Sequence, residues 1–223
     1  MRIILASNSP RRKELLSGLG LEFEVHTLKG LDESYPEGLS MEEIPQFISR
    51  KKASAYAVGP DELLITADTI VWLDGEVLGK PKDEAEAKAM LRKLSGRTHQ
   101  VVTGVTLKTG PLLAPPLGEC LIPAEQGQER GRGNEALPQR GSGEGASLLY
   151  SFSSVSQVTF AELSAEEIDR YVEHYHPLDK AGAYGIQEWI GYIGVTRIEG
   201  SYFNVMGLPV QRLYSEMKRL GLI

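Results

Sequence analysis

Short apolar runs alternate along this chain with segments whose apolar positions recur every three to four residues, the pattern of strands interleaved with amphipathic helices. Arg2–Ala6 reads as a buried strand around Ile3, Ile4 and Leu5. Ser9 stands at a helix N-cap with Pro10 at the first helical position, and Leu15, Leu16 and Leu19 give that helix an apolar face ending at Gly18 or Gly20. Phe23–Thr27 reads as a strand. Ser40 and Glu43 have capping-box spacing for a helix reaching about Ala57. Leu63–Ala67 is a second apolar strand that ends at Asp68-Thr69 and resumes over Ile70–Leu73. Asp74-Gly75 then signals a tight hairpin returning through Glu76-Val77-Leu78 to Gly79-Lys80-Pro81.

Further along, Asp83–Leu94 is predicted to be a helix stopped by Gly96, and Thr98–Lys108 and Val155–Leu163 are predicted to be strands. Ser164 and Glu167 cap a helix to about Tyr175, Ala181–Ile198 reads as a loop and a strand pair, and Pro209–Leu220 as the last helix. The rhythm fails once. Residues 109–150 hold eight of the 24 glycines and five of the 12 prolines, with almost no hydrophobic period, so they read as a disordered surface insertion between two strands. Loop closure costs grow only logarithmically with length, and the expected organisation is a single α/β domain, 1–223, carrying that insertion.

Composition narrows the function classes. A formal charge of −6 and a sequence pI near 5.4 exclude a generic nucleic-acid surface, so any bound anion must be met by a local cation cluster. A single cysteine, Cys120, provides neither an intrachain disulfide nor a thiol cluster for zinc. No apolar run approaches the ~20 residues of a membrane span, and the N-terminal apolar run is too short for a signal core, so the cytoplasm is the expected compartment.

Ser9-Pro10-Arg11-Arg12-Lys13 puts three cations in the first turn of a helix, the end that already carries partial positive charge. An anion held there by backbone N–H groups and guanidinium forks explains them; so does a solvated charged face, and spacing alone leaves both open. Asp68, where an apolar strand meets a turn, is a candidate catalytic carboxylate or a hydrogen-bonded turn residue. Ile70 excludes the two-aspartate pattern of haloacid-dehalogenase-type phosphatases. Lys52, Lys80 and Glu33 each have an ordinary structural reading beside the functional one. Gln187 has the donor and acceptor to read a base, with a buried backbone-bonded glutamine the plainer reading; Asp179-Lys180 looks structural, and the four histidines, without metal-ligand spacing, read as surface or satisfied core residues. Neither a P-loop nor a nucleophile elbow is present.

Taken in order, Ala6-Ser7-Asn8-Ser9-Pro10-Arg11-Arg12, Ser49-Arg50-Lys51-Lys52-Ala53, Ala67-Asp68-Thr69-Ile70-Val71, Leu78-Gly79-Lys80-Pro81, Leu94-Ser95-Gly96-Arg97-Thr98-His99, the run from Asp179 to Gln187, and Gly207-Leu208-Pro209 resemble the motifs of the Maf family of nucleotide pyrophosphatases, also described as septum-formation-inhibitor proteins. The resemblance implies an α/β fold with an elongated mixed sheet forming a two-lobed cleft, a homodimer, and hydrolysis between the α and β phosphates with Mg²⁺ or Mn²⁺. Ala67-Asp68-Thr69 together with Gln187 resembles the branch acting on dTTP and UTP rather than 7-methyl-GTP. By the same resemblance Asp68 is the proton acceptor and, with Glu33, a metal ligand. Arg11, Thr69 and Gln187 tune base preference, and Ser9, Arg12, Lys52 and Lys80 complete the phosphate contacts. The chain departs from many relatives in Glu188-Trp189-Ile190, where they have a glycine-rich turn. A non-catalytic nucleotide- or partner-binding regulator of cell division is the rival expectation.

Overall fold

The computed structural model describes residues 1–111, 136–140 and 147–223. The elements run β1 (Arg2–Leu5), α1 (Pro10–Ser17), β2 (Phe23–Val25), α2 (Glu43–Ser54), β3 (Glu62–Leu73), β4 (Glu76–Leu78), α3 (Glu84–Leu94), β5 (Thr98–Thr109), β6 (Ala136–Arg140), β7 (Leu148–Phe160) and α4 (Ala165–Tyr175). Two 3-10 turns follow at Pro177–Asp179 and Ala181–Ala183, then α5 (Trp189–Gly194), β8 (Val195–Glu199), α6 (Tyr202–Met206) and α7 (Val210–Arg219). The fold is α/β. Its mixed sheet has the order β2-β1-β3-β5-β7-β6, with β4 added to β3 and β8 to β7. The long strands β3, β5 and β7 form an antiparallel spine, while β1 pairs in parallel with β2 and β3.

The local signals explain most boundaries. Ser9 caps α1 and Pro10 opens it. Asp74 and Gly75 both have positive φ, 51° and 86°, as a hairpin turn of type I′ requires. Ser164 and Glu167 exchange the two bonds of a capping box at α4, and Ser40 and Glu43 exchange the same two bonds just ahead of α2.

Three expectations are corrected. β3 does not stop at Asp68-Thr69 but runs through them as one 12-residue strand, because β5 pairs with it continuously from Leu63 to Trp72. The segment 181–198 is not a loop with a strand pair: a 3-10 turn and the short helix α5 precede the single strand β8, held by burial of Ala183 and Ile190 rather than by any sequence period. β7 begins at Leu148, well before Val155. Of the expected insertion at 109–150, 112–135 and 141–146 lie outside the described residues, whereas Thr109 ends β5, 136–140 pair with β7, and 148–150 open β7.

One edge of β3 shapes the cleft. Parallel β1 covers it over Glu62–Ile65 and antiparallel β4 over Val71–Leu73. Between them, residues 66–70 have no strand partner on that side among the described residues, so a gap opens at Ala67-Asp68-Thr69. Opposite Asp68 in the register stands Gly104 of β5, and a Cβ there would lie 2.3 Å from the Pro45 carbonyl carbon and 2.4 Å from the Gln46 nitrogen. Gly104 therefore lets α2 press onto the sheet beside Asp68, with Ile44 and Ile48 packed on Ile70 and Val102.

Candidate functional site

The gap in β3 opens into a cavity of about 550 Å³, of the size that takes a nucleotide-sized ligand. All nine residues expected from sequence, Ser9, Arg11, Arg12, Glu33, Lys52, Asp68, Thr69, Lys80 and Gln187, line it. Six cations on its walls outnumber three carboxylates, although the whole chain is acidic. The cavity is therefore a local well for a polyanion.

Strand alternation divides the site between the two faces of β3. Asp68, 8% exposed, shares a face with Ile70 and meets α2, where Lys52 Nζ stands 2.6 Å from Asp68 Oδ1 and 2.8 Å from Glu33 Oε1. Lys80 Nζ, delivered by the strand end after the hairpin, reaches the other Glu33 oxygen at 3.5 Å. Burial pushes the Glu33 carboxyl up, but the Lys52 hydrogen bond and charge, with Lys80 behind them, hold it below its usual value on balance.

On the other face, Arg12 turns inward. Its Nε donates to Gly207 O at 2.8 Å, Nη1 to Ala67 O at 2.7 Å and Nη2 to Thr69 Oγ1 at 3.0 Å. Ala67 O is open to Arg12 because the gap leaves it without a strand partner among the described residues. Thr69 Oγ1 also pairs with Thr103 Oγ1 at 2.9 Å, and Thr103 Oγ1 donates to Asn204 O. Burial lowers the Arg12 pKa, with Arg11 adding to the effect and the charges of Asp68 and Glu33 opposing it. The three cations of the first helical turn thus have separate fates. Arg12 ties α1 to β3 and to the end of α6, Arg11 Nη1 meets Asp179 Oδ2 at 3.2 Å, and Lys13 is exposed. Three of the five N–H donors of Arg12 are thus spent on the protein itself.

Gln187 follows the turn at Gly185, and its Oε1 is buried with no hydrogen-bond partner among the described residues. A buried acceptor without a donor is costly, so a turn of the side chain that brought Oε1 to a donor would be favoured. Sequence reasoning set Lys180 aside as structural, yet it lines the cavity and is 7% exposed, between Asp179 Oδ1 at 2.7 Å and Glu188 Oε1 at 3.2 Å. Its membership of the motif that holds Gln187 was the only signal for it. His99 was expected to be a surface or satisfied core residue. It is buried, with Nε2 2.7 Å from the Tyr184 hydroxyl and Nδ1 without a hydrogen-bond partner among the described residues.

Among the described residues no cluster of three or more His, Cys, Asp or Glu side chains could hold a metal by protein ligands alone. Asp68 and Glu33 do offer two hard oxygen donors on one cavity. That suits Mg²⁺ or Mn²⁺, which commonly takes one or two carboxylates and completes its shell with substrate phosphates and water.

An α/β sheet with a cation-lined cleft and an acidic pair defines a class of protein suited to binding a phosphorylated ligand. The family model described as Maf-like protein matches residues 2–120 and 136–220, and the chain belongs to that family. It is 57% identical over 221 residues to a dTTP/UTP pyrophosphatase of Phocaeicola vulgatus, covering 98% of this chain and 96% of that protein. A Bacteroides fragilis protein of the same name is 51% identical with the same coverage, and one from Porphyromonas gingivalis is 49% identical over 99% of this chain and 94% of its own length. Among solved structures, a nucleoside-triphosphatase / dITP/XTP pyrophosphatase from Mycobacterium abscessus aligns over 98% of this chain and 96% of that chain, with TM-score 0.40 and 16% identity. No helix among the described residues is long and apolar enough to cross a membrane.

Proposed function

We propose that this chain hydrolyses dTTP and UTP between the α and β phosphates, releasing the monophosphate and pyrophosphate. The observation that carries the reading is the pair Asp68 and Glu33, bridged by Lys52, in a cavity otherwise dominated by cations. A binding module needs the cations; the acidic pair beside them adds what is needed to break a bond. The names of the relatives, at 49–57% identity over nearly the whole chain, support the same reaction and substrates.

In the mechanism, water attacks the α-phosphorus, the new P–O bond forms, the bond to the bridging oxygen breaks, and pyrophosphate leaves. Asp68 takes the proton of the attacking water, and Lys52 holds the carboxylate in its orientation. Arg11 and Lys80 offset triphosphate charge in the cleft, Ser9 lines its phosphate side, and Arg12 fixes the walls through Ala67, Thr69 and Gly207. Asp68 and Glu33 would hold Mg²⁺ or Mn²⁺, which supplies Lewis-acid stabilisation of the leaving group when bound.

Base choice follows from Gln187. Thymine and uracil present an N3–H donor that the Gln187 amide oxygen accepts once its side chain turns into the cavity, whereas cytosine presents a lone pair at the same place. The reading places the reaction in the cytoplasm. It includes a homodimer, for which the exposed rings of Tyr192, Tyr202 and Phe203 offer a surface. A coupled pyrophosphate assay across dTTP, UTP, dCTP and GTP tests the proposal, with release expected from dTTP and UTP. Tight binding of dTTP with no release from any of the four would overturn it in favour of a regulator.

A further inference from the structure

The base-reading amide and the phosphate-side guanidinium stand on different elements, yet a chain of polar groups connects them, exposed at Asp179 and buried at Lys180 and Tyr171. Asp179 divides its carboxylate between two cations, Oδ2 to Arg11 Nη1 at 3.2 Å and Oδ1 to Lys180 Nζ at 2.7 Å. Lys180 Nζ reaches on to Glu188 Oε1 at 3.2 Å, and the other Glu188 oxygen accepts from the Tyr171 hydroxyl of α4. That hydroxyl accepts in turn from the Gly185 N–H at 3.0 Å. Gln187 lies between the two pinned residues, Gly185 and Glu188, which also close a turn through Glu188 N–H to Gly185 O at 2.9 Å.

Several features show that this segment is held rather than relaxed. Gly182 and Ala183 both sit in the left-handed region, at φ 67° and 58°, a conformation a buried alanine adopts only when its surroundings impose it. A Cβ on Gly182 would meet Val71 Cγ2 at 2.8 Å, and one on Gly185 would meet the Glu188 carboxylate at 2.7 Å. A lysine buried to 7% needs two carboxylate partners to stay, and it has them. This is more structure than a turn requires.

We infer that Lys180 is a positioning residue for base selection: through Glu188 and Tyr171 it fixes the turn that aims Gln187, and through Asp179 it sets Arg11 in register with that turn. It does not touch the base itself. The inference rests on the proposed reading of Gln187 as the amide that meets the base.

The test is the ratio of dTTP to dCTP affinity, measured by calorimetry with EDTA present so that turnover plays no part, beside unfolding midpoints. Lys180→Met, Glu188→Gln and Tyr171→Phe should each lower that ratio, Lys180→Met by about fivefold or more, and Lys180→Arg should recover most of it. In a Gln187→Ala background the Lys180→Met change should shrink to about twofold or less, because the residue it acts through is gone. Equal effects in both backgrounds, or weaker binding of both nucleotides with an unchanged ratio, would overturn the inference and leave Lys180 a fold residue. Should Lys180→Met not fold, the volume-conserving Tyr171→Phe and Glu188→Gln decide by the same criterion. A wild-type protein that binds dTTP selectively but releases no pyrophosphate when metal is restored would sink the enzymatic reading alone. A wild type with no preference for dTTP would sink the role of Gln187, and with it that of Lys180.

Discussion

Lys52 places its ammonium 2.6 Å from Asp68 Oδ1 and 2.8 Å from Glu33 Oε1, so one lysine of α2 stands between the two carboxylates of the cleft. Two like charges sharing a cavity repel unless a cation separates them. In the protein alone that cation is a side chain.

Chelation should therefore leave the fold intact. With Lys52 bridging the acidic pair, EDTA is expected to abolish pyrophosphate release while the unfolding midpoint stays where it was. A drop of several degrees on chelation, read by calorimetry, would mean that a metal supports the fold and that the Lys52 bridge does not suffice.

Asp68→Asn keeps the shape of the strand and a hydrogen-bonding partner for Lys52 but removes the proton acceptor. Turnover should fall by about 10²–10⁴-fold with little change in the unfolding midpoint. Near-normal pyrophosphate release from a folded Asp68→Asn protein would remove Asp68 from the catalytic role.

Arg12→Ala tests a different link. The sequence alone suggests a phosphate contact, whose loss raises KM. The structure adds three protein acceptors, Gly207 O, Ala67 O and Thr69 Oγ1, left without their donor, for an expected loss of about 2–4 kcal/mol of stability. Urea unfolding beside steady-state kinetics separates the two: a raised KM at unchanged stability would return Arg12 to a purely ligand-facing role.

His99 gives the pH dependence. Burial pushes its imidazole down to about 4 from 6.5, so the unfolded chain takes a proton in that window that the folded chain refuses. Stability should fall as pH drops from about 6.5 to about 4, by up to about 3 kcal/mol, and the histidine adds nothing further below that. Glu33 and Asp179 also have depressed values, although burial pushes each of them up; their contributions are lost at the acid end, as pH falls through their folded values. Subtracting the urea-unfolding profile of His99→Gln isolates the histidine. Identical slopes in both proteins between pH 4 and 6.5 would contradict its neutral burial.

Where a local rule decides the conformation, the sequence was readable. Ser9 and Pro10 start α1, Asp74-Gly75 turns the hairpin, and Ser164 with Glu167 starts α4, since each acts on backbone groups within a few residues. The short helix α5 and the strained turn at Gly182-Ala183 were not readable. Glycine-punctuated sequence has no period there, and the conformation is imposed by burial of Ala183 and Ile190. β3 was misread as interrupted because a polar pair mid-strand resembles a turn. Its pairing with β5 carries it through.

The sequence by itself determined which residues come together: ordered motifs carry residue identity, and all nine expected residues line one cavity. Only the tertiary structure decided what each of them faces. The gap between β1 and β4 frees Ala67 O for Arg12, Gly104 admits α2 close enough for Lys52 to stand between Glu33 and Asp68, and a buried Lys180 joins Arg11 to the turn bearing Gln187. The partners in these contacts are separated by up to 195 residues, as in the bond from Arg12 to Gly207. No local preference specifies such a pairing; it follows from packing and from the requirement that buried charges and carbonyls find partners.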